Sequence, residues 1–261
     1  LPLSRELLEE PEGHFLMFAT KLGLIKKTSL AEYVRINRNG KYALRFKIEG
    51  DALVNVRSAT NDHNIVMIST TGYACRFSCG DIRASGRVSG GVYGIKVADR
   101  KGSGGGVVAG MVAMLSPDEH ILTISKYGMA KRSKLGTGDR IPDLDAEGNQ
   151  KTDENGEGKL TTDGYRITRP GAKGVRTMKL DESAQDNIIS VRTIPDMNDH
   201  LFLLTKSGMM IRIRIDQTKE TSGKSTRGTR VMELRDKKNG GFTDEIIFSS
   251  RVSASLLDVD D

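Results

Sequence analysis

Basic side chains recur at a fixed distance from four glycines of this sequence. Each glycine follows an apolar run and a turn that contains Ser or Thr, and the fourth residue after it is basic. These basic residues are Lys27, Arg76, Arg132 and Arg212. Lysine and arginine bind phosphate and carboxylate groups through charge-assisted hydrogen bonds. A cation repeated at one position therefore indicates a surface that binds a polyanion.

The elements that carry these cations are predicted to be β-hairpins. The apolar runs are residues 15–19, 65–68, 121–124 and 201–204. The turn glycines are Gly23, Gly72, Gly128 and Gly208. Glycine adopts the positive φ of a tight turn without steric cost, and a return strand follows each turn. The turn explains the glycine but not the cation that follows it.

The repeat unit is larger than the hairpin, because a second glycine starts a further strand in each unit. These glycines are Gly40, Gly91, Gly174 and Gly228. The fourth residue after each is Leu44, Ile95, Met178 or Met232, and the sixth is Phe46, Val97, Leu180 or Leu234. This period-2 alternation predicts a strand with one buried face. Another apolar run ends each unit, which gives about four strands per unit.

The repeats run almost from end to end, so the sequence predicts one all-β domain over residues 1–261. The units are predicted at about 12–61, 62–115, 116–195 and 196–253, where hairpin glycines 49, 56 and 80 residues apart mark the period. Such periods are typical of propellers and related arrays. The 29 glycines and the absence of tryptophan fit many short strands and turns.

Nothing in the sequence indicates export or insertion into a membrane. No apolar run is long enough to span a bilayer, and Leu1-Pro2-Leu3 lacks the basic and apolar regions of a signal peptide. The missing initiator methionine suggests a piece of a longer polypeptide. Cys75 and Cys79 are the only cysteines. So few cysteines fit a reducing, cytoplasmic compartment. We expect both to be ordinary thiols, because no second pair or flanking His completes a zinc site.

Charge is distributed unevenly along the chain. Residues 138–163 contain eight acidic and three basic side chains, a net charge of −5. Since the whole chain carries +6, the remainder carries +11. This surplus favours a nucleic-acid partner over an anionic membrane, with plain solubility as the alternative. The acidic segment, poor in apolar residues, is predicted to be a mobile loop. Because it is negative, it is also expected to compete with DNA.

Basic residues that follow each hairpin are the candidate phosphate contacts. They lie in connectors rich in glycine and small residues, such as 81–91, which let backbone amides and guanidinium groups approach a phosphate closely. The full set of candidates is Lys26, Lys27, Arg35, Arg38, Lys41, Arg76, Arg83, Arg87, Lys131, Arg132, Arg166, Arg169, Lys173, Arg176, Arg212, Arg214, Lys224, Arg227 and Arg230.

No pattern of catalytic residues is evident, and the one spacing that resembles a calcium loop, from Asp143 to Glu154, is interpreted as a solvated acidic loop because position 8 is not apolar and no flanking helices are evident. The sequence contains no Ser-His-Asp order, no HExxH motif and no paired carboxylates at a recognisable spacing. The four histidines lie close to the same place at the start of each hairpin, which a recurring turn position explains better than metal ligation. We therefore expect no catalytic residue, metal or cofactor in this chain.

The repeats resemble a known family. The segments ATKLGLIKKTSLAEYVRINRNGKYALRFKIEGDALVNV, STTGYACRFSCGDIRASGRVSGGVYGIKV and TKSGMMIRIRIDQTKETSGKSTRGTRVMEL are similar to blades of the C-terminal, DNA-wrapping domain of DNA gyrase A, part of a type IIA topoisomerase. Strand, turn glycine, cation and second glycine strand recur in order in all four units. The resemblance covers almost the whole chain outside the acidic segment.

The resemblance implies a fold, a function and partners. The fold would be a β-pinwheel, a propeller-like disc whose blades exchange strands with their neighbours. Its basic rim would wrap double-stranded DNA and present it to the catalytic core for ATP-dependent supercoiling. The partners would be the gyrase A dimer core and the gyrase B subunit, with ATP and Mg²⁺ bound elsewhere in the parent enzyme. The enzyme would act in the bacterial cytoplasm at the nucleoid, with no membrane partner.

Two departures from the family pattern leave alternatives open. The Gln-Arg-Arg-Gly-Gly-x-Gly box of gyrase A is absent, and four units are present where the family usually has about six blades. The box-bearing blade would then precede the sequence, or the parent would be the corresponding chain of the related topoisomerase IV. A third alternative, from another class, is a propeller-like scaffold that binds other proteins through a flat face.

Overall fold

The computed structural model describes residues 3–97, 106–221, 226–236 and 240–256, and almost all of its regular structure is β. One short helix, α1 (Arg5–Glu9), precedes the strands. The strands are β1 (Phe15–Thr20), β2 (Leu24–Ser29), β3 (Leu53–Ala59), β4 (Asn64–Ser69), β5 (Tyr73–Ser78), β6 (Val92–Tyr93), β7 (Val108–Met114), β8 (His120–Ser125), β9 (Met129–Lys134), β10 (Arg140–Pro142), β11 (Leu160–Thr162), β12 (Val175–Arg176), β13 (Ile188–Ile194), β14 (His200–Thr205), β15 (Met210–Arg214), β16 (Thr229–Arg230) and β17 (Ile246–Val252). Single 3-10 turns lie at Leu30–Tyr33, Cys79–Asp81, Ile215–Gln217 and Ala254–Leu256.

Each unit begins with the predicted antiparallel hairpin. In the first, β1 pairs with β2 and the turn glycine, Gly23, has a φ of +94°. The Gly23 N–H donates to the carbonyl of Thr20 at 3.1 Å, and the Thr20 hydroxyl accepts the N–H of Leu24 at 3.1 Å. The Thr or Ser of the turn therefore closes the hairpin, because its side chain satisfies the first amide of the return strand.

The fourth strand of each complete sheet comes from the following unit. The sheet orders are β3-β1-β2-β6, β7-β4-β5-β12 and β13-β8-β9-β16, so β6, β12 and β16 each lie on the outer edge of the preceding sheet. This exchange links the second, third and fourth units each to the one before it. The predicted all-β pinwheel of repeated four-stranded blades is confirmed. The boundaries of the units stay predictions.

The exchanged strands begin with glycine because they approach the preceding sheet very closely. A Cβ built on Gly91 would lie 2.3 Å from the carbonyl oxygen of Ile25, and one on Gly228 would lie 2.3 Å from that of Ala130. Both glycines also have positive φ, +75° and +85°. Any other residue would have to displace the backbone of the edge strand.

The core lies between successive sheets. Between the first two, Met17 and Ile25 pack against Ile65 and Met67, and all four side chains are fully buried. Full burial of one such side chain contributes about 1.5–3 kcal/mol. Ile95, from the exchanged segment, is buried in the same cluster. The packing of one sheet therefore depends on the unit that follows it.

The first unit does not follow the predicted burial pattern of the glycine-started strand. Ile95, Met178, Leu180, Met232 and Leu234 are buried as predicted. In the first unit, by contrast, residues 41–47 form no strand, and the side chain of Phe46 is 46% exposed. The prediction is wrong there, because residues 41–47 pair with no sheet within the described residues.

The acidic segment is folded, so the prediction of a mobile loop is wrong. Its ends form the antiparallel pair β10–β11, and two tight turns lie between them. In each turn an aspartate Oδ1 accepts two backbone N–H groups at 2.8–3.0 Å, from Glu147 and Asn149 at Asp145 and from Asn155 and Glu157 at Asp153. Aspartates that close turns locally replace the apolar core that the segment lacks.

Candidate nucleic-acid interface

The connectors between hairpin and exchanged strand run along the outer edge of the preceding sheet. In three units, one connector residue forms a parallel bridge with the basic residue that follows the hairpin glycine. The bridges are Lys27 with Ala84, Arg76 with Ile167 and Arg132 with Glu220. In each, the next connector N–H donates to the carbonyl of that basic residue, at 2.7–2.9 Å. The backbone therefore holds the three connectors in equivalent positions.

An exposed cation stands directly before each bridged connector residue. These cations are Arg83, Arg166 and Lys219, and all three side chains are exposed. Because the backbone geometry repeats, the edges of the three four-stranded sheets each present one positive charge at the same place. Lys219 was not among the candidates chosen from the sequence.

A groove opens beside the connector of the second unit. It has a volume of about 590 Å³ and lies between β2 and residues 81–92. Arg83 and Lys47 contribute positive charge to its wall and Asp81 contributes one negative charge. Ser85 and Ser89 contribute hydroxyl groups that contact each other at 2.6 Å. Cations and hydroxyl donors around an open groove suit phosphate oxygens.

Four of the predicted contacts are buried, so their assignment to the rim is wrong. Lys26 and Lys27 are 1% and 4% exposed. Lys26 Nζ donates to the carbonyls of Ala43, at 2.6 Å, and Arg87. Lys27 Nζ donates to the carbonyl of Cys79, at 3.0 Å, and lies 4.1 Å from the centre of the Phe15 ring. Both lysines bind the chain itself.

Arg76 and Lys131 are the other two buried cations. Arg76 Nη1 donates to the carbonyls of Leu135, Gly136 and Tyr165, at 3.2, 2.9 and 2.8 Å. Lys131 Nζ donates to the carbonyl of Thr177 at 2.5 Å. Burial lowers the pKa of Lys131 to about 8 and that of Lys26 to about 8. Arg76 therefore joins the second unit to the third. Lys131 joins the third sheet to the residue that follows β12 on the second sheet.

Four further candidates are only half-buried. Arg87 lies 3.3 Å from the carboxylate of Glu32, and Arg176 lies over the Tyr73 ring at 5.5 Å. The Nε of Arg132 is buried without a hydrogen-bond partner among the described residues. Lys41 is the fourth, in the first unit. An anion would reach these groups only in part.

The remaining described candidates are exposed. Arg214, Arg227 and Arg230 contact the carboxylates of Asp216, Asp181 and Glu233, which reduces the charge that they offer to a partner. Arg35, Arg38, Arg83, Arg166, Arg169 and Arg212 form no ion pair within the described residues. Lys173 lies over the Tyr73 ring at 4.9 Å. Lys224 lies outside the described residues.

A second series of exposed cations was missed in the sequence. The fifth residue after Gly40, Gly91 and Gly174 is exposed and basic. These residues are Arg45, Lys96 and Lys179. The signal was available, because the fourth and sixth residues were predicted to face the core and the residue between them had to face solvent.

The described residues contain no cluster of three or more His, Cys, Asp or Glu side chains arranged for a metal ion. No helix in the same part of the chain is long and apolar enough to cross a membrane. Both cysteines are buried and unpaired, and burial raises the pKa of each thiol. The exposed cations and the connector backbone described above can bind an anion through charge and backbone amides.

Comparison with known proteins agrees with this geometry. The model of the family described as DNA gyrase C-terminal domain, beta-propeller, matches residues 14–60, 63–103, 159–195 and 199–240. Most of the acidic segment lies in the unmatched interval. The DNA gyrase A subunit of Staphylococcus epidermidis is 30% identical over 228 residues, which cover 87% of this chain and 22% of that protein. The same subunit of Lawsonia intracellularis is 30% identical over 229 residues, 87% and 24% of the two chains.

Solved structures with the same fold are also similar to this chain. The C-terminal domain of a DNA topoisomerase IV superposes with a TM-score of 0.70 at 18% identity, covering 93% of this chain and 63% of that one. A DNA gyrase A C-terminal domain gives 0.66 at 17% identity, covering 92% and 66%. This chain spans less than a quarter of the length of the two gyrase A subunits compared above.

Proposed function

Because the chain belongs to the DNA gyrase C-terminal domain family, of beta-propeller type, we propose that it binds and bends double-stranded DNA as a non-catalytic domain of a type II topoisomerase. The observation that carries the proposal is the repeated placement of Arg83, Arg166 and Lys219. Each stands on an exposed connector at the outer edge of a sheet, next to a backbone bridge of the same type.

This arrangement suits DNA backbone phosphates rather than base edges. The exposed cations follow the sheet edges one unit after another, and arginine and lysine bind phosphate regardless of sequence. Bending 20–30 bp of DNA by 40–90° costs about 1–6 kcal/mol. A single ion pair cannot supply that energy, so binding requires contacts from several units at once.

The parent enzyme in this proposal is a gyrase rather than a topoisomerase IV. Both gyrase A subunits compared above reach 30% identity, although the gyrase A box is absent from the sequence. The gyrase A dimer core and the gyrase B chain would be the protein partners, and ATP and Mg²⁺ would bind outside this domain. The enzyme would act in the bacterial cytoplasm, at the nucleoid.

The test is DNA affinity as a function of salt and DNA length. Duplexes from about 20 to 150 bp span the range from a short contact to one persistence length. We expect log affinity to fall with log salt by about 0.9 per phosphate contacted, and the slope to steepen with length until the DNA follows all the units. Affinity that does not depend on salt, or no binding, would overturn the proposal in favour of a protein scaffold.

Bending is measured separately from binding. Nicked circular DNA is ligated in the presence of the domain, and the topoisomers are resolved on a gel. A shift in linking number that grows with the amount of protein is expected if DNA follows the curved edge. Salt-dependent binding without such a shift would retain DNA binding but exclude wrapping, and would favour a topoisomerase IV parent.

A further inference from the structure

The residue directly after each exposed connector cation occupies one repeated backbone position. These residues are Ala84, Ile167 and Glu220, and each is bridged to the basic residue of the preceding hairpin. All three are exposed. The same place on three sheet edges therefore carries a small, a large apolar and an acidic side chain. We call these three residues the rim positions.

Ile167 is an exposed apolar side chain on an otherwise basic stretch of the edge. It is 53% exposed. Arg166 precedes it and Arg169 follows two residues later, and both arginines are exposed without an ion pair within the described residues. A single exposed isoleucine is ordinary on a protein surface. This one lies between two cations that offer their full charge to phosphate, so DNA bound by those cations would also cover it.

The backbone that carries Ile167 is firmly held. The N–H and the hydroxyl of Thr168 both donate to the carbonyl of Arg76, at 2.7 and 3.0 Å. The guanidinium of Arg76 in turn donates to three carbonyls of the third unit. Isoleucine is β-branched, which leaves its side chain few rotamers. A stiff side chain on a fixed backbone can separate stacked bases, whereas a mobile one would turn aside.

The other two rim positions lack this property. Ala84 has only a methyl group, which is too short to reach between bases. Glu220 is negatively charged, so phosphate repels it, and its carboxylate contacts Nε2 of His120 at 2.8 Å. The edges of three sheets therefore share a cation, but only the one at Ile167 adds a large apolar group at the rim position.

Building on the proposed binding of double-stranded DNA, we propose that Ile167 is an apolar wedge that inserts between two base pairs and kinks the duplex there. Apolar side chains that enter the minor groove partly unstack a base step and bend the duplex toward the major groove. Pyrimidine–purine steps such as TA kink most easily. The domain then prefers a register of DNA that places such a step at Ile167, although its cations read no sequence.

Two duplexes of equal length and base composition test the preference. One has a TA step about every 10 bp, one helical turn, so that all the steps face the same side of the duplex. In the other, the same bases are rearranged into AT steps. We expect the original chain to bind the first duplex about threefold more tightly or better, because its steps cost less to deform.

Exchange of the rim residues between units assigns the preference to the wedge. Ile167→Ala gives the third unit the residue of the second and should abolish the preference, with an unchanged salt slope because every cation remains. The reciprocal Ala84→Ile should increase the preference by adding a second wedge. The matched control is Ile141→Ala, at an isoleucine that is 40% exposed on β10, outside the connectors. It should keep the preference of the original chain.

Unstacking is measured directly with 2-aminopurine in place of the adenine of the TA steps. The fluorescence of this base rises when it leaves the stack. We expect the rise with the original chain and with Ile141→Ala, and not with Ile167→Ala. Thermal unfolding of each variant should match that of the original chain, because the replaced side chains are exposed.

The outcomes separate the wedge from DNA binding itself. Salt-dependent binding by the original chain without any preference for TA steps would overturn the wedge and leave the DNA-binding proposal intact. An Ile167→Ala variant that keeps the preference and the rise in fluorescence would do the same. Absence of binding to both duplexes would overturn both proposals.

Discussion

The connector of the second unit and the acidic segment of the third carry opposite charges, although each follows the return strand of its hairpin, β5 or β9. We call residues 81–91 the basic connector and residues 138–163 the acidic insertion; they carry +1 and −5. Both connectors rejoin the edge of the preceding sheet through a parallel bridge, at Ala84 and at Ile167. The fold fixes the path of the backbone at these bridges. It does not fix the charge of what is inserted before them.

The acidic insertion is held at its base by the preceding unit. Arg76 donates to Leu135, Gly136 and Tyr165, which flank the insertion, and the Asp163 carboxylate accepts the N–H of Thr137 at 2.7 Å. Its negative charges therefore have a fixed position relative to Arg166 and Arg169, which follow it in the chain. We therefore expect a charged hairpin so placed to repel DNA at one blade of an otherwise basic edge.

The largest effect should come from the anchor. We expect Arg76→Met to destabilise the protein by about 3 kcal/mol, because it removes the guanidinium that donates to three buried carbonyls. Within the described residues, only the carbonyl of Leu135 has a second donor, the N–H of Tyr165. Denaturant unfolding measures the loss, and Arg166→Met is the exposed control. Equal stability of the two variants would show that the anchor contributes little.

The next effect concerns DNA affinity at the two connectors. Reversing Arg83 and Arg166 together to Glu should weaken binding to every DNA sequence alike, by about tenfold or more, and reduce the salt slope by about 2. Arg140→Glu, exposed on the insertion, is the control and should have a much smaller effect. Unchanged affinity of the double variant would remove these two arginines from the interface.

A smaller effect should follow neutralisation of the insertion. Glu147, Glu154 and Glu157 are exposed and their side chains close no turn within the described ranges, so Gln at all three should leave the hairpin folded. We expect DNA binding at low salt to tighten about two- to threefold, with the difference disappearing at high salt. Affinity equal to that of the original chain would mean that the insertion does not oppose DNA.

The smallest effect concerns two buried lysines, Lys26 and Lys131. Their pKa values of about 8 lie below the ordinary 10.5, so the unfolded chain binds more protons between these pH values. The free energy of unfolding should therefore rise as pH increases from about 8 to about 10.5. Lys131→Met should reduce this rise relative to the original chain, whereas Lys134→Met, at a half-exposed neighbour, should not. Identical pH profiles for the two variants would contradict the assignment.

The comparison also shows why only part of the site could be predicted. Arg83 and Arg166 lie among small residues in a connector, which was enough to predict exposure. For Lys27, Arg76, Arg132 and Arg212 the sequence gives the same position in the repeat but the burial differs. The first two are buried and the third is half-buried because the next connector covers them. Arg212 is exposed because no following connector in the described part of the chain lies on β15.

Local patterns in the sequence determined the hairpins, the all-β class and the buried residues of the exchanged segments, because turns and strand alternation depend on neighbouring residues. They were also enough to indicate the correct family. Tertiary structure alone decided which unit completes each sheet, which cations face solvent and whether the insertion folds. These properties depend on contacts between residues that are far apart in sequence, such as Arg76 and Tyr165. A local sequence pattern cannot predict such contacts.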